Sequence, residues 1–139
     1  NVALGTDGAA SNNDLDLFSE MRSAALLGKV VAGDACALPD HYALTMATLN
    51  GAKALGIDHL VGSLEVGKQA DVIAIDLSAL EQQPIYSPVS QLVYTNISHQ
   101  VRYSWIMGRK VLDNGELTTL DRRDIVTRAE LWRTRISGE

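Results

Sequence analysis

The chain has 139 residues, of which 46% are apolar, enough to build a packed core and too many for a disordered tail. A formal net charge of −5 and a sequence pI of about 5.1 give no electrostatic reason to engage nucleic acid or an anionic membrane, so neither is expected as a partner. No run of about 18 apolar residues could span a bilayer, and the start of the chain lacks a signal-peptide pattern. The single cysteine, Cys36, excludes an internal disulfide and points to a reducing compartment, the cytoplasm.

In chain order, Val2-Ala3-Leu4-Gly5 reads as a short buried strand with nothing before it to pair with. The first residue is Asn1 rather than methionine, and together these features raise the expectation of a piece of a longer protein. A polar loop of small residues, Thr6 to Asn13, follows and suits the passage from a strand into a helix. Asn13 or Asp14 is the expected N-cap, and Leu15, Phe18, Met21, Ala25 and Leu26 recur at helical spacing. Leu17, Ala24 and Leu27 widen that apolar face, as expected of a helix laid against a sheet.

Gly33-Asp34 breaks the first helix, and Pro39-Asp40 starts a second that carries Leu44, Ala47, Gly51 and Leu55 before Gly56 stops it. Gly51 costs helix propensity, so it is expected to admit a close backbone neighbour. From Ile57 the period changes. A short strand and turn over 61–68 lead into a strand over 70–75, then an irregular stretch with Pro84 and Pro88, and strands over 91–95 and 101–107. Gly108-Arg109 and Asn114-Gly115 mark tight turns of an antiparallel meander. Asp121 is placed to cap a last helix with Ile125, Ala129, Trp132 and Ile136 along one stripe.

Three stretches also carry a resemblance. Leu4-Gly5-Thr6-Asp7-Gly8-Ala9-Ala10-Ser11-Asn12-Asn13 resembles the end of the eighth barrel strand of metal-dependent amidohydrolases. Residues 47–56, Ala-Thr-Leu-Asn-Gly-Ala-Lys-Ala-Leu-Gly, resemble the helix that leaves the barrel. Residues 62–72, Gly-Ser-Leu-Glu-Val-Gly-Lys-Gln-Ala-Asp-Val, resemble the turn and strand of the accompanying β domain. The strand-Gly-strand unit over 101–112 follows in the same order. Within that superfamily the Thr-Asp-Gly-Ala-Ala-Ser-Asn-Asn loop is most similar to methylthioadenosine/S-adenosylhomocysteine deaminases and triazine hydrolases.

The resemblance implies an α/β parent, a (β/α)8 TIM barrel plus a small β-sandwich, of which this chain would be the C-terminal part and would by itself look α+β. Residues 1–56 would supply the last barrel strand and its helices, 57–120 part of the sandwich, and 121–139 a terminal helix. The implied activity is metal-dependent hydrolysis of a non-peptide C–N bond, deaminating a purine or another small heterocycle. Triazine dechlorination is an alternative. One divalent metal, zinc or iron, would serve the parent, with none expected on this chain alone. The missing N-terminal barrel segment, or self-association into an oligomer, would be its partner. A non-enzymatic α+β module that oligomerises is the rival reading.

The candidate catalytic and metal-binding residue is Asp7, because a carboxylate at the C-terminal end of a barrel strand reaches both a metal and its water. A turn-shaping role is the plain alternative, since Thr-Asp-Gly is ordinary turn chemistry. Ser11, Asn12 and Asn13 are expected to cap a helix. His41, His59 and His99 lie far apart, without ligand spacing. Cys36 between two alanines is expected as a buried small thiol, Tyr103 and Trp105 as packing residues, and the arginines of the last helix as a solvated face.

Overall fold

The computed structural model describes residues 1–138 as a layer of helices beside one small sheet. Helix α1 (Leu17–Ala32) begins at Asp16, whose Oδ1 accepts the Phe18 N–H at 2.9 Å while Oδ2 accepts the Ser19 hydroxyl at 2.9 Å. The cap is therefore Asp16 rather than Asn13 or Asp14: only a carboxylate directly ahead of the first helical residue reaches the free N–H groups of the opening turn. The far end closes on Gly33 at φ 62, where the Asp34 N–H donates to the Lys29 carbonyl at 3.2 Å. Lys29 then donates from Nζ to the Ala37 and Leu38 carbonyls, tying the connection that follows to α1.

The expected second helix is two, α2 (Asp40–Ala47) and α3 (Leu49–Ala54), separated by Thr48 at φ −127 and ψ −94. The break leaves the Met46 carbonyl to accept the Leu4 N–H at 3.1 Å. Buried Asn50 donates from Nδ2 to the Val2 carbonyl at 2.8 Å, and its own carbonyl accepts from the Asn1 side chain at 3.0 Å. Residues 1–5 are thus held beside the α2–α3 break and pair with no strand among the described residues. A core of Met21, Ala25, Ala43 and Val93 lies between α1, α2 and the helix over 88–94, with Leu4 and Phe18 packed against it.

Helix α4 (Pro88–Tyr94) corrects the expectation of a strand over 91–95. Pro88 at the first helical position has no N–H to satisfy and a φ already suited to the helix. Ser87 caps it through the Ser90 N–H at 3.2 Å. Val89, Leu92 and Val93 then form a helical rather than an alternating pattern, and Val93 is fully buried. Ser90 donates its hydroxyl to Asp40 Oδ2, which joins the starts of α4 and α2.

The sheet is β1 (Val72–Ile75), β2 (Val101–Ile106), β3 (Arg109–Asp113) and β4 (Glu116–Leu117) in that order, antiparallel throughout. Residues 61–68 form turns, not the expected strand. Asp71 Oδ1 accepts the Met107 N–H at 2.6 Å, and the Gly108 N–H donates to the Ala70 carbonyl at 3.0 Å, so the β2–β3 turn is gripped from the end of β1. Asn114 at φ 49 and Gly115 at φ 86 make the turn that the Asn-Gly pair announces. Tyr103 and Trp105 stack with ring centroids 5.9 Å apart on one face of β2, with Lys110 Nζ within 5.8 Å of both rings. Helix α5 (Arg122–Ser137) starts on Asp121, which accepts from the Arg123 and Asp124 N–H groups as expected. Its stripe of Ile125, Trp132 and Ile136 is exposed.

Candidate active site

Asp7 follows the 1–5 segment, in a left-handed backbone conformation at φ 60. Aspartate visits that region more readily than most residues because its short polar side chain bonds locally. Here Oδ1 accepts the Gly8 N–H at 2.6 Å. No hydrogen bond reaches Oδ2 within the described residues, and the side chain is exposed. The loop after it turns tightly, with the Ser11 and Asn12 N–H groups both donating to the Gly8 carbonyl at 2.9 and 3.0 Å.

Asn12 does not cap α1, and neither do Ser11 and Asn13, because Asp16 holds that place. Asn12 Nδ2 donates to the Thr6 carbonyl at 2.9 Å and to Glu20 Oε1 at 3.0 Å, while its Oδ1 accepts the Asp14 N–H at 3.0 Å. Sequence reasoning placed Asn12 at a helix start and did not single out Glu20. The Ser-Asn-Asn run was the only signal, and it does not reveal which acceptors the amide would meet.

The histidines and Cys36, expected to play no part in a site, lie in separate loops and helix starts. His41, at the start of α2, is exposed, with Nδ1 3.5 Å from Asp40. His59 is exposed in the turns after α3, and His99 is exposed before β2. Cys36 is exposed rather than buried, because the loop between α1 and α2 is wound around the Asp34 carboxylate, which accepts the Cys36 N–H at 2.8 Å, and turns outward. Among the described residues no group of three His, Cys, Asp or Glu side chains lies close enough to hold a metal ion.

Clefts are formed elsewhere among the described residues, two of them beside β1. A cleft of about 210 Å³ by the sheet holds Asp76, Arg102 and Asn114; the Ser78 hydroxyl and N–H keep the Asp76 carboxyl below its ordinary range. An apolar groove of about 340 Å³ runs between the helices and β1, lined by Phe18, Met21, Leu44, Ile73 and Leu92 among others. Asp7 lines neither. No described helix is long and apolar enough to cross a membrane.

Comparison with known proteins bears on this arrangement. The profile of the amidohydrolase family matches residues 1–111. A 5-methylthioadenosine/S-adenosylhomocysteine deaminase from Teredinibacter turnerae is 55% identical over 139 residues, which is 100% of this chain and 31% of that protein. A 5'-deoxyadenosine deaminase from Methanosarcina acetivorans is 45% identical over 93% of this chain and 29% of its own length. Among solved structures, a zinc-bound adenosine deaminase from Xanthomonas campestris superposes with a TM-score of 0.94 at 52% identity, over 99% of this chain and 31% of that one. A zinc complex of an atrazine chlorohydrolase from Arthrobacter aurescens gives 0.82 at 26% identity, over 89% and 28%. The chain therefore spans about a third of the length of the relatives it matches. With 111 of 139 residues under the family profile, this chain belongs to the amidohydrolase family.

Proposed function

We propose that residues 1–139 are the C-terminal portion of a zinc-dependent hydrolytic deaminase acting on an adenosine that carries a 5′-thioether, with Asp7 as the proton-handling carboxylate of its site. The observation that carries this reading is the 55% identity to a methylthioadenosine/S-adenosylhomocysteine deaminase across every residue of the chain. The superposition on a zinc-bound adenosine deaminase supports the same chemistry. Dechlorination of a triazine is the weaker reading, resting on 26% identity.

The residues present fit one part of a metal site and not the whole. Zinc at a catalytic centre typically takes about three protein ligands and a water, whereas Asp7 offers a single carboxylate with one oxygen unengaged. The other ligands, on this reading, come from barrel strands outside these residues, and the 1–5 segment would be the eighth strand, with Asp7 at the rim where barrel sites assemble. When bound, the metal supplies a Lewis acid that brings the pKa of a water to about 7.

Asp7 then has a defined task. Its unengaged Oδ2 receives the proton of the attacking water as a C–O bond forms at the amino-bearing ring carbon. It delivers that proton to the amino group as the C–N bond breaks, and ammonia leaves. Oδ1, occupied by the Gly8 N–H, keeps the carboxylate from rotating away.

In the full-length enzyme, Asp7→Asn should keep the fold, judged by circular dichroism, and lower kcat by about a hundredfold or more, the scale of acid–base help. Unchanged turnover removes Asp7 from the mechanism. Purified residues 1–139 should show no deamination on their own; stoichiometric zinc and turnover from this chain alone would overturn the view that its site is completed from outside.

A further inference from the structure

Asp7 is governed by the backbone on either side of it, and one residue grips both sides. Upstream, the Thr6 carbonyl is held by Asn12 Nδ2 at 2.9 Å. Downstream, the Gly8 carbonyl accepts the Asn12 N–H at 3.0 Å. The second hydrogen of the same amide goes to Glu20 Oε1 at 3.0 Å, in the first turn of α1 and next to Met21, which is 1% exposed in the core. A continuous set of contacts therefore runs from the core through α1 and Glu20 to Asn12, and from Asn12 to both neighbours of Asp7.

The chemistry of that link demands an amide. Nδ2 faces two acceptors, a carbonyl and a carboxylate, and Oδ1 faces a donor, the Asp14 N–H, at 3.0 Å. Turning the amide over would set oxygen against two oxygens. A carboxylate at the same place would do so as well, while a serine is too short to span both acceptors.

We infer that Asn12 and Glu20 form a positioning pair that fixes the direction of the Asp7 carboxylate. The inference rests on the assignment of Asp7 as the reactive carboxylate. Outer-shell partners of this kind are worth about 10–100-fold in metal affinity or activity, and a displacement of about 1 Å at a reacting group costs a similar factor.

Asn12→Asp is the informative variant, because it keeps size and the acceptor for the Asp14 N–H while removing both donors. In the full-length enzyme it should lower kcat by about 10–100-fold and weaken zinc binding about tenfold in chelator competition, leave KM close to that of the parent, and lower the thermal midpoint, because the new carboxylate faces the Thr6 carbonyl and Glu20. Glu20→Gln keeps an acceptor for the Asn12 amide but loses the charge that strengthens that bond, so it should lower kcat by less than Asn12→Asp does. Combining the two places an amide donor opposite the new carboxylate, so part of the lost kcat and zinc affinity should return. In residues 1–139 alone, Asn12→Asp should speed hydrogen exchange at the Gly8 amide, which bonds to Asp7.

Parental kcat and zinc affinity in Asn12→Asp would overturn the pairing, and so would a loss that the Glu20→Gln combination does not relieve. If Asp7→Asn is inactive while Asn12→Asp is not, only the pairing fails. If Asp7→Asn is fully active, the pairing and the assignment of Asp7 fail together.

Discussion

Asp7 and Asp40 are both carboxylates that accept a backbone N–H from the next residue, yet the structure uses them differently. Asp40 gives its second oxygen to the Ser90 hydroxyl, and that bond, then the His41 N–H, hold its carboxyl below the ordinary value of 3.8. A carboxyl depressed in the fold lends stability that is present above the unfolded value and is lost as pH falls through the lower folded one. Ser90→Ala should therefore be less stable than the parent near neutral pH, and the gap should narrow below pH 3.8. Urea titrations at two pH values check this; an equal gap at both would break the link to Asp40. Asp7 leaves its second oxygen unengaged, which is the property a proton carrier needs. The identity of the candidate residue was legible in the sequence, since Gly5-Thr6-Asp7-Gly8 carries it. Its support was not, because the grip of Asn12 depends on where an amide points within a folded loop.

At the scale of elements, glycine shows where periodicity misleads. Gly51 was expected to admit a close neighbour, but a Cβ there would meet nothing within 4 Å. Gly62 is the residue that needs to be glycine: at φ 95, an added Cβ would lie 2.7 Å from the Ala52 Cβ and 3.1 Å from the Leu49 Cα. Gly62→Ala should cost about 2–4 kcal/mol, combining a left-handed backbone penalty with overpacking. A thermal midpoint within a degree of the parent would refute the tight approach of the 57–62 turns to α3. The helices α1 and α5 and the two β turns were readable because their determinants lie within a few residues of each other. Helix α4 was misread as a strand because Val93 and Tyr94 favour β structure in isolation, and burial of Val93 among α1 and α2 outweighs that preference. The break at Thr48 was invisible for a related reason: its compensation, the Leu4 N–H on the Met46 carbonyl, comes from the other end of the segment.

For the molecule as a whole, what it leaves uncovered matters as much as what it buries. Leu27, Val30 and Val31 on α1 are 62%, 77% and 86% exposed, and Trp132 and Ile136 on α5 are 57% and 82% exposed. Apolar faces of this kind normally mark contact surfaces, and relatives about three times as long have residues to cover them. Purified residues 1–139 should accordingly sediment as species heavier than the 15.0 kDa monomer, and a well-folded strict monomer would count against that reading. One sheet is formed by the described residues, so a sandwich needs strands from elsewhere. The sequence by itself determined the family, the first and last helices and the hairpin turns, because each is encoded by side chains acting over a few bonds or a few residues, and it nominated Asp7 as the candidate carboxylate. Only the tertiary structure decided that Asn12 reaches Thr6 and Glu20, that residues 1–5 lie against the α2–α3 break, and that Gly62 rather than Gly51 sits at a close approach. Those contacts join atoms brought together by burial, and no local pattern specifies which distant partner a hydrogen bond or a methyl group will meet.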